Sequence, residues 1–301
     1  MTVIELIEAS SARLSEAGVC FGQGTSNAFD EAAWLVLWRL QLPLDALDDV
    51  AELAVDDAHL DAVHALIDQR ISTRQPAAYL TGEAWLQGVP FTVDARCIIP
   101  RSLIAEPLAE GSIDAWLSDR TLRVLDLCTG NGSLAVLAAL AWPDVTVDAA
   151  DLSTDALAVA RLNIDRHQLA DRITLHPGDG LAAVGNRVYD LILCNPPYVN
   201  QASMAALPAE FQAEPALALD GNAEGGADGM DFIRRLLQQA PQHLAPDGLL
   251  VLEIGHERPH FDAAFLALDV VWLPTSAGDD QVLLVSRAAL LPLQTPHRPI
   301  P

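Results

Sequence analysis

The sequence of 301 residues lacks lysine: all 17 of its basic residues are arginine, against 41 aspartates and glutamates. A formal net charge of −24 repels a polyphosphate backbone, so we expect small molecules or basic proteins as partners rather than free DNA or RNA. Extreme salt adaptation would also give such acidity, but the 51% of hydrophobic residues argues against it. That apolar content supports a sizeable core and excludes a disordered or fibrous chain.

Cysteines and long apolar runs are also scarce. The four cysteines lie far apart and form no C-x-x-C pair, which excludes a disulfide framework or zinc knuckle and suits a reducing cytoplasm. The longest apolar stretch, 134–142, is too short to span a bilayer. The first residues include Glu5 and Glu8 and no positive charge, so they do not predict a signal peptide. We therefore expect a cytoplasmic protein without membrane partners.

The first 75 residues have a helical pattern. Asn27 can cap an apolar helix over 28–40. Residues 56–73 place their apolar side chains on one helical face, with aspartates and arginines opposite. No polar cluster in this region has a catalytic pattern. We therefore predict a small helical domain for residues 1–75.

Beyond this domain the pattern changes twice. Two strand-like runs flank Gln87-Gly88 and predict a β-hairpin linker over 76–107. Between residues 122 and 286 short apolar strands alternate with helices, which predicts an α/β, doubly wound, mostly parallel sheet for a domain at 108–301. Little chain separates the last two predicted strands, so we expect one of them to be antiparallel. The Pro-rich end, 291–301, predicts an irregular tail.

The first predicted strand of this sheet runs into a segment that we call the glycine turn, Asp126-Leu127-Cys128-Thr129-Gly130-Asn131-Gly132. Glycines there let the backbone approach a ligand at the start of the next helix, predicted over 133–141. Asp151 ends the second strand about 20 residues on, where a carboxylate can accept both ribose hydroxyls. The alternative is a tight turn of the kind found in any doubly wound protein, but the pattern favours a nucleoside cofactor.

Asp126 distinguishes between nucleoside cofactors. A dinucleotide site usually places glycine almost directly after the strand to admit pyrophosphate, whereas here a carboxylate closes the strand well before Gly130. A carboxylate suits a positive ammonium better than phosphates, and S-adenosyl-L-methionine carries such a group. Asp179, which precedes Gly180 after the third strand, can receive an adenine amino group; the alternative is a solvated turn aspartate.

A second motif, Asn195-Pro196-Pro197-Tyr198, directly follows an apolar strand over 189–194, at the edge where such sheets bind ligands. A planar NH2 group offers two donors, which the Asn195 side-chain oxygen and the Pro196 carbonyl can accept. The two prolines stiffen the loop before a substrate arrives, and Tyr198 can lie on the flat face of an amide. The alternative is a Pro-rich turn that only ends the strand. With the glycine turn upstream, the Asn-Pro-Pro-Tyr motif predicts a catalytic site.

The glycine turn, Asp151 and the Asn-Pro-Pro-Tyr motif resemble the class I S-adenosylmethionine-dependent methyltransferases that methylate planar nitrogens. The helical domain with its hairpin resembles the HemK/PrmC-like protein-(glutamine-N5) methyltransferases. Residues 79–85 (Tyr-Leu-Thr-Gly-Glu-Ala-Trp) and 97–106 are similar to the PrmB-type branch, which acts on large-subunit ribosomal protein three. The release-factor branch typically has Pro-Arg-Pro-Asp-Thr-Glu in the second stretch.

This resemblance implies a Rossmann-like methyltransferase sheet, S-adenosyl-L-methionine as cofactor and substrate recognition by residues 1–75. The implied substrate is a glutamine of a basic ribosomal protein, either free or within an assembling ribosome. The cofactor-binding residues are predicted to be Asp126, Cys128, Thr129, Gly130, Asn131, Gly132, Asp151, Asp179, Gly180 and Asn195. The substrate-binding residues are predicted to be Arg101, Glu106, Asn195, Pro196, Pro197 and Tyr198, with Asn195, Pro196 and Tyr198 catalytic.

Three other functions remain open on the sequence. A release-factor glutamine methyltransferase would use the same chemistry on another protein. An adenine or cytosine amino-methyltransferase would grip a base amine with the same loop, but the acidic chain lacks a basic stripe for nucleic acid. A non-catalytic ribosome-assembly factor would keep the fold, and the intact glycine turn and Asn-Pro-Pro-Tyr motif argue against it.

One motif suggests a metal that we do not predict. His256-Glu257-Arg258-Pro259-His260 matches the H-E-x-x-H zinc pattern, which requires both histidines on one helical face. Gly255 breaks the preceding strand, and Pro259 disfavours helical geometry at Arg258. No third ligand is evident, so we expect ordinary polar loop residues here.

Overall fold

The computed structural model describes residues 1–118 and 120–294. The predicted helical domain, 1–75, contains α1 (Val3–Glu16), α2 (Ala28–Arg39), α3 (Leu47–Val50) and α4 (Asp57–Thr73). A fifth helix, α5 (Ala77–Thr81), lies in the predicted linker. The predicted cap of α2 is present, because Asn27 Oδ1 accepts a hydrogen bond from Asp30 N at 2.9 Å. Asp56 caps α4 in the same way, by accepting from His59 N at 2.9 Å.

Arg70 of α4 lies on the face opposite to the one predicted. The sequence pattern puts arginines of this helix on its polar face, but Arg70 is 1% exposed. It shares the buried face with Val63, Leu66 and Ile67. Its Nε lies 2.8 Å from Glu31 of α2, which is also buried. A charged side chain is buried in this way when a partner from another element compensates it, and such a partner is not visible in the periodicity of one helix.

The predicted hairpin joins the helical domain to the larger one. β1 (Glu83–Leu86) and β2 (Val89–Thr92) pair antiparallel, with Leu86 opposite Val89. Both turn residues, Gln87 and Gly88, have positive φ angles of 49° and 74°, the geometry of a two-residue hairpin turn. A short helix, α6 (Ala105–Ala109), follows the hairpin.

The larger domain is built on a seven-stranded sheet in the order β5-β4-β3-β6-β7-β9-β8. Its strands are β3 (Arg123–Leu127), β4 (Thr146–Asp151), β5 (Ile173–Pro177), β6 (Tyr189–Cys194), β7 (Leu244–Glu253), β8 (Val271–Thr275) and β9 (Gly278–Ser286). β9 runs antiparallel to both of its neighbours, β7 and β8, and so opposite in direction to the other six strands. The prediction of a mostly parallel sheet with one antiparallel strand near the C-terminus is confirmed.

Helices cover both faces of the sheet. The helices of this part of the chain are α7 (Ser133–Ala141), α8 (Thr154–Arg166), α9 (Gln201–Ala205), α10 (Ala209–Gln212), α11 (Asp231–His243), α12 (Arg258–Ala264) and α13 (Arg287–Leu290). In β6, Leu191 and Leu193 belong to the core that contains α7, whereas Ile192 and Cys194 belong to the core that contains α11. A strand buried on both faces needs apolar residues at every position, which explains the continuous apolar run there.

The chain end is described only in part. Residues 291–294 form a 3-10 turn, and the rest of the predicted irregular tail, 295–301, lies outside the described residues. Within residues 1–118 and 120–294, none of the helices combines the length and apolarity that crossing a membrane requires.

Candidate active site

The ends of three strands lie side by side at one edge of the sheet. Leu127 of β3 pairs with Ala150 of β4 and with Cys194 of β6, so the segments that follow these residues leave the sheet together. The chain winds outward from β3 in both directions, and the crevice at such a switch point is where open α/β sheets bind ligands. A cavity of about 810 Å³ opens there, within the size range of small-molecule sites.

Most predicted site residues line this cavity. On the predicted cofactor side they are residues 128–131, Asp151, Asp179 and Gly180. On the predicted substrate side they are Arg101 and residues 195–198. The fold therefore brings together residues that are up to about a hundred positions apart in the chain.

The glycine turn is held in left-handed backbone conformations. Cys128, Gly130 and Gly132 have φ angles of 62°, 57° and 81°. Left-handed geometry is ordinary for glycine but uncommon for cysteine, so Cys128 occupies a position where the backbone is strained. A Cβ on Gly132 would lie 3.1 Å from Ala160 Cβ, so this glycine serves the close packing of the turn against α8 and not the cavity wall.

Asp126 lies behind the glycine turn and not on the cavity wall, which corrects the predicted direct contact with a cofactor. Its carboxylate is fully buried; Oδ2 accepts hydrogen bonds from the Thr129 hydroxyl and from Ala135 N (2.9 Å). These bonds tie the turn to the start of α7. Oδ1 is buried without a partner among the described residues. Asp126 thus shapes the turn from behind.

Burial raises the pKa of Asp126 to about 7, although the bonds from Thr129 and Ala135 oppose the shift. The folded state therefore holds a proton that the unfolded chain, with the usual value of 3.8, releases as the pH rises from 4 to 7. Asp126→Asn keeps an oxygen that can accept both bonds and removes the titration. We expect the unfolding free energy of the variant, minus that of the wild type, to increase from pH 4 to pH 8. Urea unfolding across this range measures it, and a flat difference would contradict a buried, titrating Asp126.

Asp151 and Asp179 both reach the cavity, in different surroundings. Asp151 Oδ2 accepts from Gly130 N and Oδ1 from Ser153 N, each at 2.8 Å, so the carboxylate joins the glycine turn to the start of α8. Burial nevertheless raises the pKa of Asp151. Asp179 forms an ion pair with Arg235 of α11, with N–O distances of 2.7 and 3.0 Å. Arg235 also lines the cavity, and nothing in the local sequence identified it.

The Asn-Pro-Pro-Tyr motif presents two acceptors that no other described residue uses. The half-buried Asn195 side chain has no hydrogen bond to residues 1–118 or 120–294, and the Pro196 carbonyl accepts none from them. Both residues line the cavity. Buried or half-buried polar groups are usually paired within the protein, so two unpaired acceptors side by side suit a ligand that brings two donors.

Tyr198 is fixed by a carboxylate that the sequence analysis did not select. Its hydroxyl donates to Glu253 Oε1 at 3.1 Å. Glu253 Oε2 accepts from Ser102 Oγ at 2.6 Å and from Leu103 N at 2.9 Å. Burial raises the pKa of Glu253 and that of Tyr198. The position of Glu253, at the end of the apolar strand β7, is the signal that could have identified it.

Arg101 and Glu106, which were both predicted to bind substrate, have different surroundings in the structure. Arg101 lies on the cavity wall and donates to both oxygens of Glu214, at 2.6 and 2.7 Å. Glu106 does not itself line the cavity, although Ala277, next to its partner Ser276, does. Its carboxylate accepts from Ser276 N and Oγ, each at 2.6 Å, in the turn between β8 and β9.

Gly255 gives a test of the Tyr198 position. A Cβ at this residue (φ 53°) would lie 2.5 Å from Tyr198 Cε2, so Gly255→Ala has to displace the ring and its bond to Glu253. We expect turnover to fall roughly tenfold or more, because small displacements in a reacting site are costly. The matched control is Gly185→Ala, where φ is 59° and no atom lies within 4 Å of the new Cβ. Equal turnover of the two variants would contradict a role for the ring position.

The H-E-x-x-H segment forms a local polar contact. His260 Nδ1 lies 2.6 Å from Glu257 Oε2. Residues 1–118 and 120–294 contain no cluster of three or more side chains suited to hold a metal. The reason given from the sequence was wrong in one respect: Arg258 is helical (φ −50°, ψ −42°) and begins α12. Pro259 is tolerated because it stands in the first helical turn.

The comparisons with known proteins identify first the class of protein: the chain contains a methyltransferase domain. Residues 113–224 match the family model of the methyltransferase small domain. The solved catalytic domain of hMettl16, in complex with MAT2A 3'UTR hairpin 1, has the same fold, with a TM-score of 0.50 and 15% identity over 80% of this chain and 83% of that one.

Curated relatives define the particular family. The chain is 53% identical over 291 residues to the ribosomal protein uL3 glutamine methyltransferase of Bordetella pertussis, covering 96% of each chain. It is 49% identical to that of Burkholderia pseudomallei, over 96% of this chain and 95% of the relative. The chain belongs to the family of ribosomal protein uL3 glutamine methyltransferases.

Proposed function

We propose that this protein transfers a methyl group from S-adenosyl-L-methionine to the side-chain amide nitrogen of a glutamine in ribosomal protein uL3. The pair of unused acceptors at Asn195 and Pro196, on the wall of the cavity beside the glycine turn, is the observation that carries the proposal. A primary carboxamide has one planar NH2 with two donors, which matches this pair. The names of the relatives support uL3 as the protein that contains the glutamine.

The cavity fits S-adenosyl-L-methionine by its donor chemistry. Asp151 and Asp179 would accept from the ribose hydroxyls and the adenine amino group, and each carboxylate keeps lone pairs beyond its protein bonds. A Cβ on Gly130 would lie 3.4 Å from Ile98 Cγ2, so this glycine leaves space that a side chain would fill. When ionised, the buried carboxylate of Asp126 would favour a cationic group in front of the turn. When bound, this cofactor supplies an electrophilic methyl group on a sulfonium that becomes neutral on transfer.

Asn195 and Pro196 would activate the substrate amide. An amide nitrogen is a weak nucleophile because its lone pair is shared with the carbonyl. Acceptors for both N–H groups return electron density to nitrogen and orient its lone pair. Such near-attack placement can supply ~7–11 kcal/mol of a barrier. The methylated nitrogen is then cationic and strongly acidic, and it would release its proton to water. Burial keeps the pKa of Tyr198 well above its ordinary value, so its phenol stays protonated and donates to Glu253 instead of taking that proton.

The acidity of the chain supports a basic protein substrate. Ribosomal proteins bind a polyanion and carry positive charge for that purpose, and the net charge of −24 would speed encounters with them. We further propose that the reaction takes place in the cytoplasm, on uL3 that is free or within an assembling ribosome.

Labelling of separate substrates tests the function. Purified protein is incubated with methyl-labelled S-adenosyl-L-methionine and, in parallel reactions, with uL3, a release factor and duplex DNA. We expect label only in uL3, at N5 of a glutamine when the peptide is analysed by mass spectrometry. Label only in the release factor or only in DNA would replace uL3 by that substrate. No label in any of them would overturn the proposed activity.

A further inference from the structure

We propose that Glu210 is a positioning residue through which the helical domain holds the substrate side of the cavity, so that both domains form one catalytic unit. The inference rests on the proposed function and concerns how the same site is built. It starts from α10, a helix of only four residues between the Asn-Pro-Pro-Tyr motif and α11. Two adjacent side chains of α10, Glu210 and Phe211, contact different parts of the molecule.

Glu210 is held by the helical domain. It is 2% exposed, and its Oε1 accepts from Cys20 N at 3.1 Å and from Arg74 Nη1 at 3.2 Å. The guanidinium of Arg70 lies 3.7 Å from the same oxygen. The backbone carbonyl of Glu210 accepts from Gln23 Nε2 at 3.2 Å. A buried carboxylate is stable only with such compensation, so the helical domain fixes where α10 lies.

Phe211 and Glu214, which follow Glu210 in the chain, contact the cavity wall. Phe211 lines the cavity together with Gly22 of the helical domain, where an added Cβ would lie 3.3 Å from Phe211 Cζ. The Arg101 guanidinium lies 5.4 Å from the centroid of the Phe211 ring. Glu214 binds Arg101 through both oxygens and accepts from Ile99 N at 3.0 Å. Residues 210–214 therefore contact the helical domain on one side and the substrate wall on the other.

The substrate wall depends on such contacts because it has little regular structure of its own. Between the Asn-Pro-Pro-Tyr motif and α11 the chain forms only α9, α10 and a 3-10 turn at 216–218, none longer than five residues. Helices this short are unstable without tertiary packing. The cofactor residues 128–131 and Asp151 follow β3 and β4 instead, so they are held independently of Glu210. Loosening Glu210 should thus lower turnover and leave cofactor binding intact.

Glu210→Gln separates these two effects. The glutamine keeps the size and one acceptor but removes the charge that faces Arg70 and Arg74. We expect kcat with uL3 to fall roughly tenfold or more, since a displacement of about 1 Å can cost 10²-fold. The Kd for S-adenosyl-L-methionine should stay within about twofold. Amide exchange in full-length protein should rise over 207–219. The control, Asp68→Asn, removes an exposed ion pair with Arg13 in the same domain and should change none of the three quantities.

The outcomes are distinct. An unchanged kcat in folded Glu210→Gln, or an equal loss of cofactor affinity, overturns the inference. If that variant does not fold, Arg74→Met removes one of the donors to Glu210 Oε1, together with the bonds to the Gly18 and Ala17 carbonyls. Turnover should again fall with cofactor binding unchanged, by a smaller factor, because Cys20 N still donates to Glu210. A wild-type chain that does not methylate uL3 overturns the proposed function instead. In that case amide exchange in Glu210→Gln and in the wild type is compared to test the positioning role. Unchanged exchange over 207–219 in the variant overturns that role.

Discussion

Asn195→Ala is expected to reduce kcat/KM for methylation of uL3 by roughly 10²–10³-fold or more, the range seen when a preorganised polar contact to a reacting group is removed. The variant loses one of the two free acceptors on the cavity wall. The substrate amide then keeps a single acceptor at Pro196, and its lone pair is no longer directed. Initial rates with labelled cofactor measure the loss.

The fold should survive this change. Asn195 has no side-chain hydrogen bond to another described residue, so its truncation breaks none within that part of the chain. We expect the unfolding free energy to change by about 0.5 kcal/mol or less. The control is Asn186→Ala, an exposed residue in the turn before β6, which should retain full activity. Wild-type activity in Asn195→Ala would remove this residue from the mechanism.

Arg70→Met is expected to destabilise the protein by about 3–5 kcal/mol at pH 7, the cost of leaving one member of a buried ion pair uncompensated. Arg70 donates to Glu31 Oε1 at 2.8 Å and to the Cys20 carbonyl at 3.1 Å. Methionine fills part of the volume but offers no donor. Glu31 then remains buried without its main partner. Urea unfolding, monitored by circular dichroism, measures the loss.

The loss of unfolding free energy caused by Arg70→Met should be smaller at acidic pH. Burial already raises the pKa of Glu31 above 4.5, and Arg70 opposes that shift. Without Arg70 the pKa of Glu31 in the folded state rises further. The variant is therefore most destabilised at a pH above that pKa, where Glu31 is ionised. The destabilisation decreases as the pH falls towards the pKa of Glu31 in the unfolded chain. The control, Arg13→Met, removes an exposed ion pair with Asp68 and should cost about 1 kcal/mol or less. An equal loss of unfolding free energy in Arg70→Met and Arg13→Met would contradict the claim that a buried ion pair contributes more than an exposed one.

Local signals in the sequence were strong for the elements that carry the site. The helix over 133–141 and the strand over 189–194 have the predicted bounds, because a glycine turn, a proline and a continuous apolar run mark their ends. The parallel sheet followed from the alternation of strands and helices. These features depend on residues that are close together in the chain, so a single sequence is enough to predict them.

Carboxylates and arginines were predicted less well. Glu106 and Asp126 were assigned to the cavity wall, but one caps the turn at Ser276 and the other holds Thr129 and Ala135. Arg70 was assigned to solvent and is buried. A charged side chain faces whichever donor or acceptor the fold brings to it, and for Glu106 that partner is 170 residues away. No local pattern contains this information.

The sequence by itself determined the chemistry of the site: an amide and a carbonyl acceptor on a stiff loop after an apolar strand, and carboxylates with glycines after two others. Strand ends in a parallel sheet meet at one edge, so these groups had to converge. Only the tertiary structure decided which acceptors remain free and that residues of the helical domain bind Glu210 of α10. Those outcomes depend on satisfying buried polar groups with partners distant in the chain, and that balance exists only once the two domains are packed together.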